Sequence, residues 1–115
     1  LISELLSDLG ITVNLARNGV ECLDLLRTAE PQFDLIFMDI QMPEMDGLEA
    51  TQHIRQDLHL TDMPIIALTA NTMEHEQQAF IKAGMNAFLP KPFNPDQLYQ
   101  ILDRFLKKKN NNDQE

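Results

Sequence analysis

The chain opens on an apolar stripe. Ile2, Leu5, Leu6 and Leu9 recur at the helical spacing i, i+3, i+4, i+7, and Gly10 is a natural stop. Over residues 11–16 (ITVNLA) the period changes to alternation, the pattern of a half-buried strand. Asn18-Gly19 is a turn signal. Cys22, Leu25, Leu26 and Ala29 then predict a helix over residues 20–30, with Pro31 at its exit. Two short runs, 35–38 (LIFM) and 65–68 (IIAL), are continuously apolar and read as strands buried on both faces of a parallel sheet. Between them, residues 41–47 (QMPEMDG) form a loop. Residues 48–57 form a helix with Ala50, Thr51, Ile54 and Leu58 on one side. Residues 72–83 are a weakly amphipathic helix closed by Gly84, and residues 86–89 a short strand. Asn94 and Pro95 supply the N-cap and first position of a last helix. Its stripe is the clearest in the chain: Leu98, Ile101, Leu102, Phe105 and Leu106. Residues 107–115 (KKKNNNDQE) have nothing to bury and read as a frayed polar tail.

Helices and strands thus alternate from end to end. That order predicts an α/β domain, a parallel sheet with helices on both faces, and neither an internal repeat nor a second domain. At 115 residues, 43% hydrophobic and 23% charged, the chain is one ordinary globular domain. No apolar run approaches the roughly 18 residues of a membrane span. Glu4 and Asp8 interrupt the first apolar residues, so no signal peptide is expected in this stretch. The single cysteine, Cys22, excludes an internal disulfide framework and fits a reducing compartment, so a cytoplasmic location is expected. Nine basic against 18 acidic residues give a net charge of −9, which argues against direct nucleic-acid binding. The start at Leu1, already within a helical stripe, is read as a piece of a longer polypeptide.

In a parallel α/β sheet, ligands gather at the carboxyl ends of the strands. LIFM is followed by Asp39, IIAL by Thr69, and the strand ending in Leu89-Pro90 by Lys91. Singly, these read as a turn or cap residue, a helix cap and a solvated lysine. Together they bring a carboxylate, a hydroxyl and an amine to one rim. A carboxylate can attack phosphorus and form an acyl phosphate. Phosphoryl transfer asks mainly for positioning and charge neutralisation, which an ammonium and a hydroxyl supply. Other motifs fall away. An EF-hand loop from Asp39 would need glycine where Glu44 stands. His53, His59 and His75 lack ligand spacing and read as surface residues. There is no phosphate-binding glycine loop. Met38, Met42 and Met45 read as packing residues.

The segments FMDIQMPEMDG (37–47), IIALTA (65–70) and AGMNAFLPKPF (83–93) resemble a response-regulator receiver domain of two-component signalling. The separations agree as well, 30 residues from Asp39 to Thr69 and 22 from Thr69 to Lys91. The wording most resembles receivers of hybrid sensor histidine kinases. The resemblance covers residues 1–107, leaving 108–115 as the tail, and implies a flavodoxin-like fold. It makes Asp39 the phosphoacceptor, Thr69 the switch hydroxyl, Lys91 its partner in a cis Lys91-Pro92 bond, and Phe88 the aromatic switch residue. Gln41 and Asn71 fall where the family tunes phosphoaspartate hydrolysis. Mg²⁺ would be held by Asp39 and the backbone carbonyl of Gln41.

The implied partners are a histidine kinase transmitter or a histidine phosphotransfer domain. The implied location is the cytoplasm, or the cytoplasmic part of a membrane-bound hybrid kinase. The implied activity is self-phosphorylation with slow autodephosphorylation rather than classical enzymology. One departure stands out. The family's first strand and its Mg²⁺-binding acidic pair, which precede the first helix, have no counterpart here, a deficit of roughly fifteen to twenty residues by element-length priors. In the family's sheet order that strand lies between residues 11–16 and 35–38, and an open slot there is the least expected outcome: the strand lies outside the given sequence, residues 11–16 close onto 35–38, or a second copy fills the gap. Exposed strand edges in turn admit a homodimer. The alternative function is a receiver-like interaction module that works without phosphorylation.

Overall fold

The computed structural model describes residues 2–30, 32–70 and 73–107. The elements run α1 (Ile2–Asp8), α2 (Gly19–Thr28), β1 (Ile36–Asp39), α3 (Gly47–Gln56), β2 (Ile65–Thr69), α4 (Glu74–Ala83), β3 (Ala87–Pro90) and α5 (Pro95–Leu102). A π-helical turn, Asp103–Lys107, continues α5. The three strands are parallel and ordered β1-β2-β3, with Ile36 opposite Ile65 and Ile66 opposite Ala87.

Side-chain alternation along each strand divides the core in two. On one face Met38, Ile65 and Ala67 pack with Leu23 and Leu26 of α2, Ala50 and Ile54 of α3, and Phe80 of α4. On the other face Ile66, Leu68 and Leu89 pack with Leu6 of α1 and Leu98 and Leu102 of α5. β2 is central and buried at all five positions, as its unbroken apolar run requires.

The helix ends follow their sequence signals. Asn94 caps α5 in a reciprocal capping box with Gln97, with Pro95 inside the first turn. Asn18 and Asp46 cap α2 and α3 by accepting from the amides of Glu21 and Glu49. Gly84 ends α4 at φ 116°, a left-handed conformation that favours glycine. α4 begins at Glu74 behind Met73, which offers no side-chain cap. The predicted start at Thr72, the position Asn71 expected to tune hydrolysis and the tail 108–115 lie outside the described residues.

One predicted element is corrected. Residues 11–16 form no strand, although their alternation is strand-like. A strand exists only by pairing, and among the described residues no backbone hydrogen bond joins 11–16 to β1. Instead the two segments line a common cavity of about 820 Å³. The unpaired edge also explains β1's burial. Ile36 and Phe37 are only half-buried, where the sequence predicted a strand buried on both faces.

Candidate functional site

The site is built at the carboxyl edge of the sheet. In the β1–β2 register Asp39 stands opposite Leu68, and in the β2–β3 register Thr69 stands opposite Pro90. Three consecutive strand ends therefore meet at Asp39, Thr69 and Lys91. The backbone ties the last two together, because the Lys91 N–H donates to the Thr69 carbonyl at 2.8 Å. Lys91-Pro92 is a cis peptide bond, as expected from the resemblance.

From that position the Lys91 ammonium donates to Oδ1 of Asp39 at 2.8 Å. The two side chains are 41% and 44% exposed, so the pair is open to an incoming reactant and screened by water. Thr69 is 5% exposed, a polar side chain at the buried end of the central strand. Phe88 is half-buried one strand over, opposite Ala67, and packs against the α2–α3–α4 face of the core.

The loop after Asp39 is tightly held. The Ile40 N–H carries the ladder one residue further, to the Leu68 carbonyl at 3.3 Å. The chain then folds back so that the Gly47 N–H donates to the Ile40 carbonyl at 2.9 Å. Gly47 is pressed on the strand end: a Cβ there would lie 2.3 Å from the Asp39 carbonyl oxygen. On the far side the Gly19 N–H donates to the Met45 carbonyl at 3.3 Å, and a Cβ on Gly19 would meet Met45 at 2.8 Å. The loop after Asp39 is thus clamped between the first residues of α2 and α3.

Sequence reading treated Asn18-Gly19 as a turn and QMPEMDG as a loop, and missed this positioning role. The signal was present in two glycines that each follow a helix-capping Asn or Asp. It also missed Arg55, whose guanidinium donates to the Gly84 carbonyl at 2.7 and 3.0 Å and to Asn86 Oδ1 at 2.9 Å. That clamp joins α3 to the entry of β3, at the opposite end of the sheet from Lys91.

Gln41 is exposed at the start of the loop. A magnesium ion takes six oxygens in near-octahedral geometry. Asp39, half engaged by Lys91, and one loop carbonyl fall short of that donor set. Among the described residues no group of three acidic, histidine or cysteine side chains is placed to hold a metal. Asp46 does not help, since its carboxylate caps α3. The residues described here therefore do not make a magnesium site by themselves. His53 is paired with Asp57 and His75 with Glu76, both at the surface as the sequence suggested. Cys22 is half-buried beside the cavity, and burial pushes its thiol pKa up.

Comparison with known proteins agrees with this geometry. The sequence model described as "Response regulator receiver domain" matches residues 1–103. The sensor histidine kinase GacS of Pseudomonas protegens is 45% identical over 105 residues, which is 89% of this chain and 11% of that protein. This chain therefore spans about a tenth of the length of such relatives. Among solved structures, the receiver domain of sensor histidine kinase PA1611 from Pseudomonas aeruginosa PAO1 is 39% identical with a TM-score of 0.77. The match covers 92% of this chain and 85% of that one, and that protein is described with a magnesium ion coordinated in its active site cleft. The Saccharomyces cerevisiae receiver domain Ssk1, crystallized with the histidine phosphotransfer protein Ypd1, is 28% identical with a TM-score of 0.81, covering 90% and 77%. Among the described residues no helix is long and apolar enough to cross a membrane.

Proposed function

The chain belongs to the response regulator receiver domain family of two-component and phosphorelay signalling, and from that premise we propose that Asp39 accepts its phosphoryl group while Lys91 and Thr69 read the arrival. The observation that carries the reading is the 2.8 Å contact of the Lys91 ammonium with Asp39 at the junction of three strand ends. In the step itself, the free Asp39 oxygen attacks phosphorus. The phosphorus–nitrogen bond of a phosphohistidine breaks, and the leaving imidazole nitrogen takes up a proton. The product is an acyl phosphate. It adds negative charge beside Lys91, whose ammonium neutralises part of it.

Arrival of the phosphoryl group gives Lys91 and the Thr69 hydroxyl new oxygens to engage. Thr69 ends β2, and Lys91 follows β3 directly, so the pull is delivered to the strand that carries Phe88. Phe88 then shifts its packing and the surface around α4, β3 and α5 changes with it. The donor is a phosphohistidine of a kinase or of a histidine phosphotransfer domain; the described complex of a related receiver with such a phosphotransfer protein supports this. Mg²⁺ is the divalent ion that a related receiver holds in its cleft, where it would neutralise the phosphoryl oxygens.

Incubation with phosphoramidate, a small phosphohistidine mimic, followed by intact-mass measurement tests the proposal. One phosphoryl group should be gained, none by Asp39→Asn, and Thr69→Ala should gain it without the change in the NMR signals of Phe88. Undiminished uptake by Asp39→Asn would refute the assignment.

A further inference from the structure

At the amino-terminal edge of the sheet, one guanidinium ties together the ends of several elements. Arg55 stands in the last turn of α3 and is half-buried. Its Nη1 donates to the Leu60 carbonyl, in the connection that leads to β2. Its Nε and Nη2 donate to the Gly84 carbonyl at 3.0 and 2.7 Å, and Nη2 also to Asn86 Oδ1 at 2.9 Å. That same Oδ1 accepts from the Ile65 N–H at 2.9 Å, while the Asn86 N–H donates to the Ile65 carbonyl at 2.8 Å. The start of β2, the entry to β3 and the end of α4 therefore share one cation and one amide oxygen. The chemistry suits an arginine. The Gly84 carbonyl lies just past the last turn of α4, where no helical N–H reaches it and positive charge is favoured. A planar fork can serve three acceptors at once, which a single ammonium cannot. The contact is also close: a Cβ on Gly84 would lie 2.8 Å from Arg55 Cγ.

The opposite ends of these elements lie at the rim. β2 runs from Ile65 to Thr69, about 13 Å. Lys91 follows Asn86 by five residues along β3. α4 begins at Glu74, soon after Thr69, and is about 15 Å long. Its two ends are held unequally. Toward the carboxyl end are Phe80, the buried residue of the helix, and the Arg55 bonds to Gly84. In the first turn, none of Glu74, His75, Glu76 and Gln77 is buried. A helix pinned in this way turns about Gly84. A rotation of about 5° would move Glu74 by about 1.3 Å and Gly84 hardly at all.

We propose that Arg55 is a positioning residue of the switch. It fixes the carboxyl end of α4 and the amino-terminal ends of β2 and β3. A phosphoryl group at Asp39 then swings the rim end of α4 instead of sliding helix and strands as one body. The proposal rests on the reading of Asp39 as the acceptor. Arg55 itself touches neither Asp39 nor Lys91, so it takes no part in phosphoryl transfer.

The test uses the full 115-residue chain with phosphoramidate, intact mass and amide NMR. In the unsubstituted chain, phosphorylation should shift the amides of Glu74 to Gln77 and leave those of Ile65, Gly84 and Asn86 in place. Arg55→Met keeps an apolar stem over Gly84 and removes the donors. It should gain its phosphoryl group at the same rate, yet Ile65, Gly84 and Asn86 should now shift and the Phe88 response should shrink. Before phosphorylation, its amide exchange at Ile65 should rise about tenfold or more relative to Leu98, as loss of hydrogen bonds to a charged group requires. Asn86→Asp keeps an oxygen for both donors and should behave as the unsubstituted chain. Arg55→Lys has one ammonium for three acceptors. It should give an intermediate pattern, and it decides the matter if Arg55→Met does not fold. A clamp that is only structural would lower stability and leave the gradient of shifts along α4 unaltered, which would overturn the role of Arg55 alone. Shifts at Gly84 and Asn86 already present in the unsubstituted chain would do the same. Failure of the unsubstituted chain to gain a phosphoryl group would overturn the acceptor reading and the switch with it.

Discussion

Replacing Gly47 by alanine probes the clamp behind Asp39. Gly47 lies in the first turn of α3, and its backbone conformation is ordinary. The substitution would therefore gain about 0.4–1 kcal/mol by restricting the unfolded chain, were there room for the methyl group. There is none. The new Cβ would sit 2.3 Å from the Asp39 carbonyl oxygen and 3.0 Å from Cγ of Met38, which is itself buried. A relaxed carbon–oxygen contact is at least about 3.3 Å, so α3 and the end of β1 must part by about 1 Å. Backbone cannot rotate aside as a flexible side chain can. Overpacking of this kind costs about 1–3 kcal/mol, which outweighs the entropic gain.

The expected net loss is about 1–2 kcal/mol, read in thermal unfolding as a fall of about 4–8 °C for each kcal/mol. Because the displaced atom belongs to the proposed acceptor, phosphoryl uptake should slow as well. Gly10→Ala is the control. Nothing lies within 4 Å of its added Cβ, yet Gly10 holds φ 82° and alanine is strained there by about 1–2 kcal/mol. That variant should lose stability and keep its uptake rate. Gly47→Ala with unaltered melting and unaltered uptake would refute the reasoning.

Other expectations follow from the same geometry. Lys91→Ala should change stability by no more than about 1 kcal/mol in urea unfolding, since both partners of its ion pair are over a third exposed, while abolishing the response of Phe88 to phosphorylation. Asn94→Ala removes the capping box of α5 and should cost about 0.5–2 kcal/mol by the same measurement, with uptake at Asp39 unaffected. Burial raises the Cys22 pKa, so its thiolate is scarcer than that of a free thiol near neutral pH. Alkylation by iodoacetamide at pH 8 should be slower in the folded chain than in urea.

The elements with a complete local code were legible in the sequence. α5 was announced by Asn94, Pro95 and its apolar stripe, and β2 by a run with no polar interruption. The rim carboxylate, hydroxyl and amine were legible because parallel topology makes the residue after each strand a rim residue, and Asp39 and Lys91 do meet. Residues 11–16 show where local pattern stops. Their alternation is genuine, but strand pairing is a property of two segments, and the neighbour that would complete the ladder is not among the described residues. The clamp around residues 40–47 was illegible for a related reason. A glycine's need for closeness is set by what faces it, here the Asp39 carbonyl for Gly47 and Met45 for Gly19.

The central claim is that Asp39 is the residue that carries the phosphoryl group. Borohydride reduction tests it most directly, because it cleaves an acyl phosphate and converts that one aspartate to homoserine. After treatment with phosphoramidate and reduction, peptide mapping should find homoserine at position 39 and an unaltered aspartate or glutamate at every other acidic site. Homoserine at Asp46 or elsewhere, with Asp39 unaltered, would contradict the account.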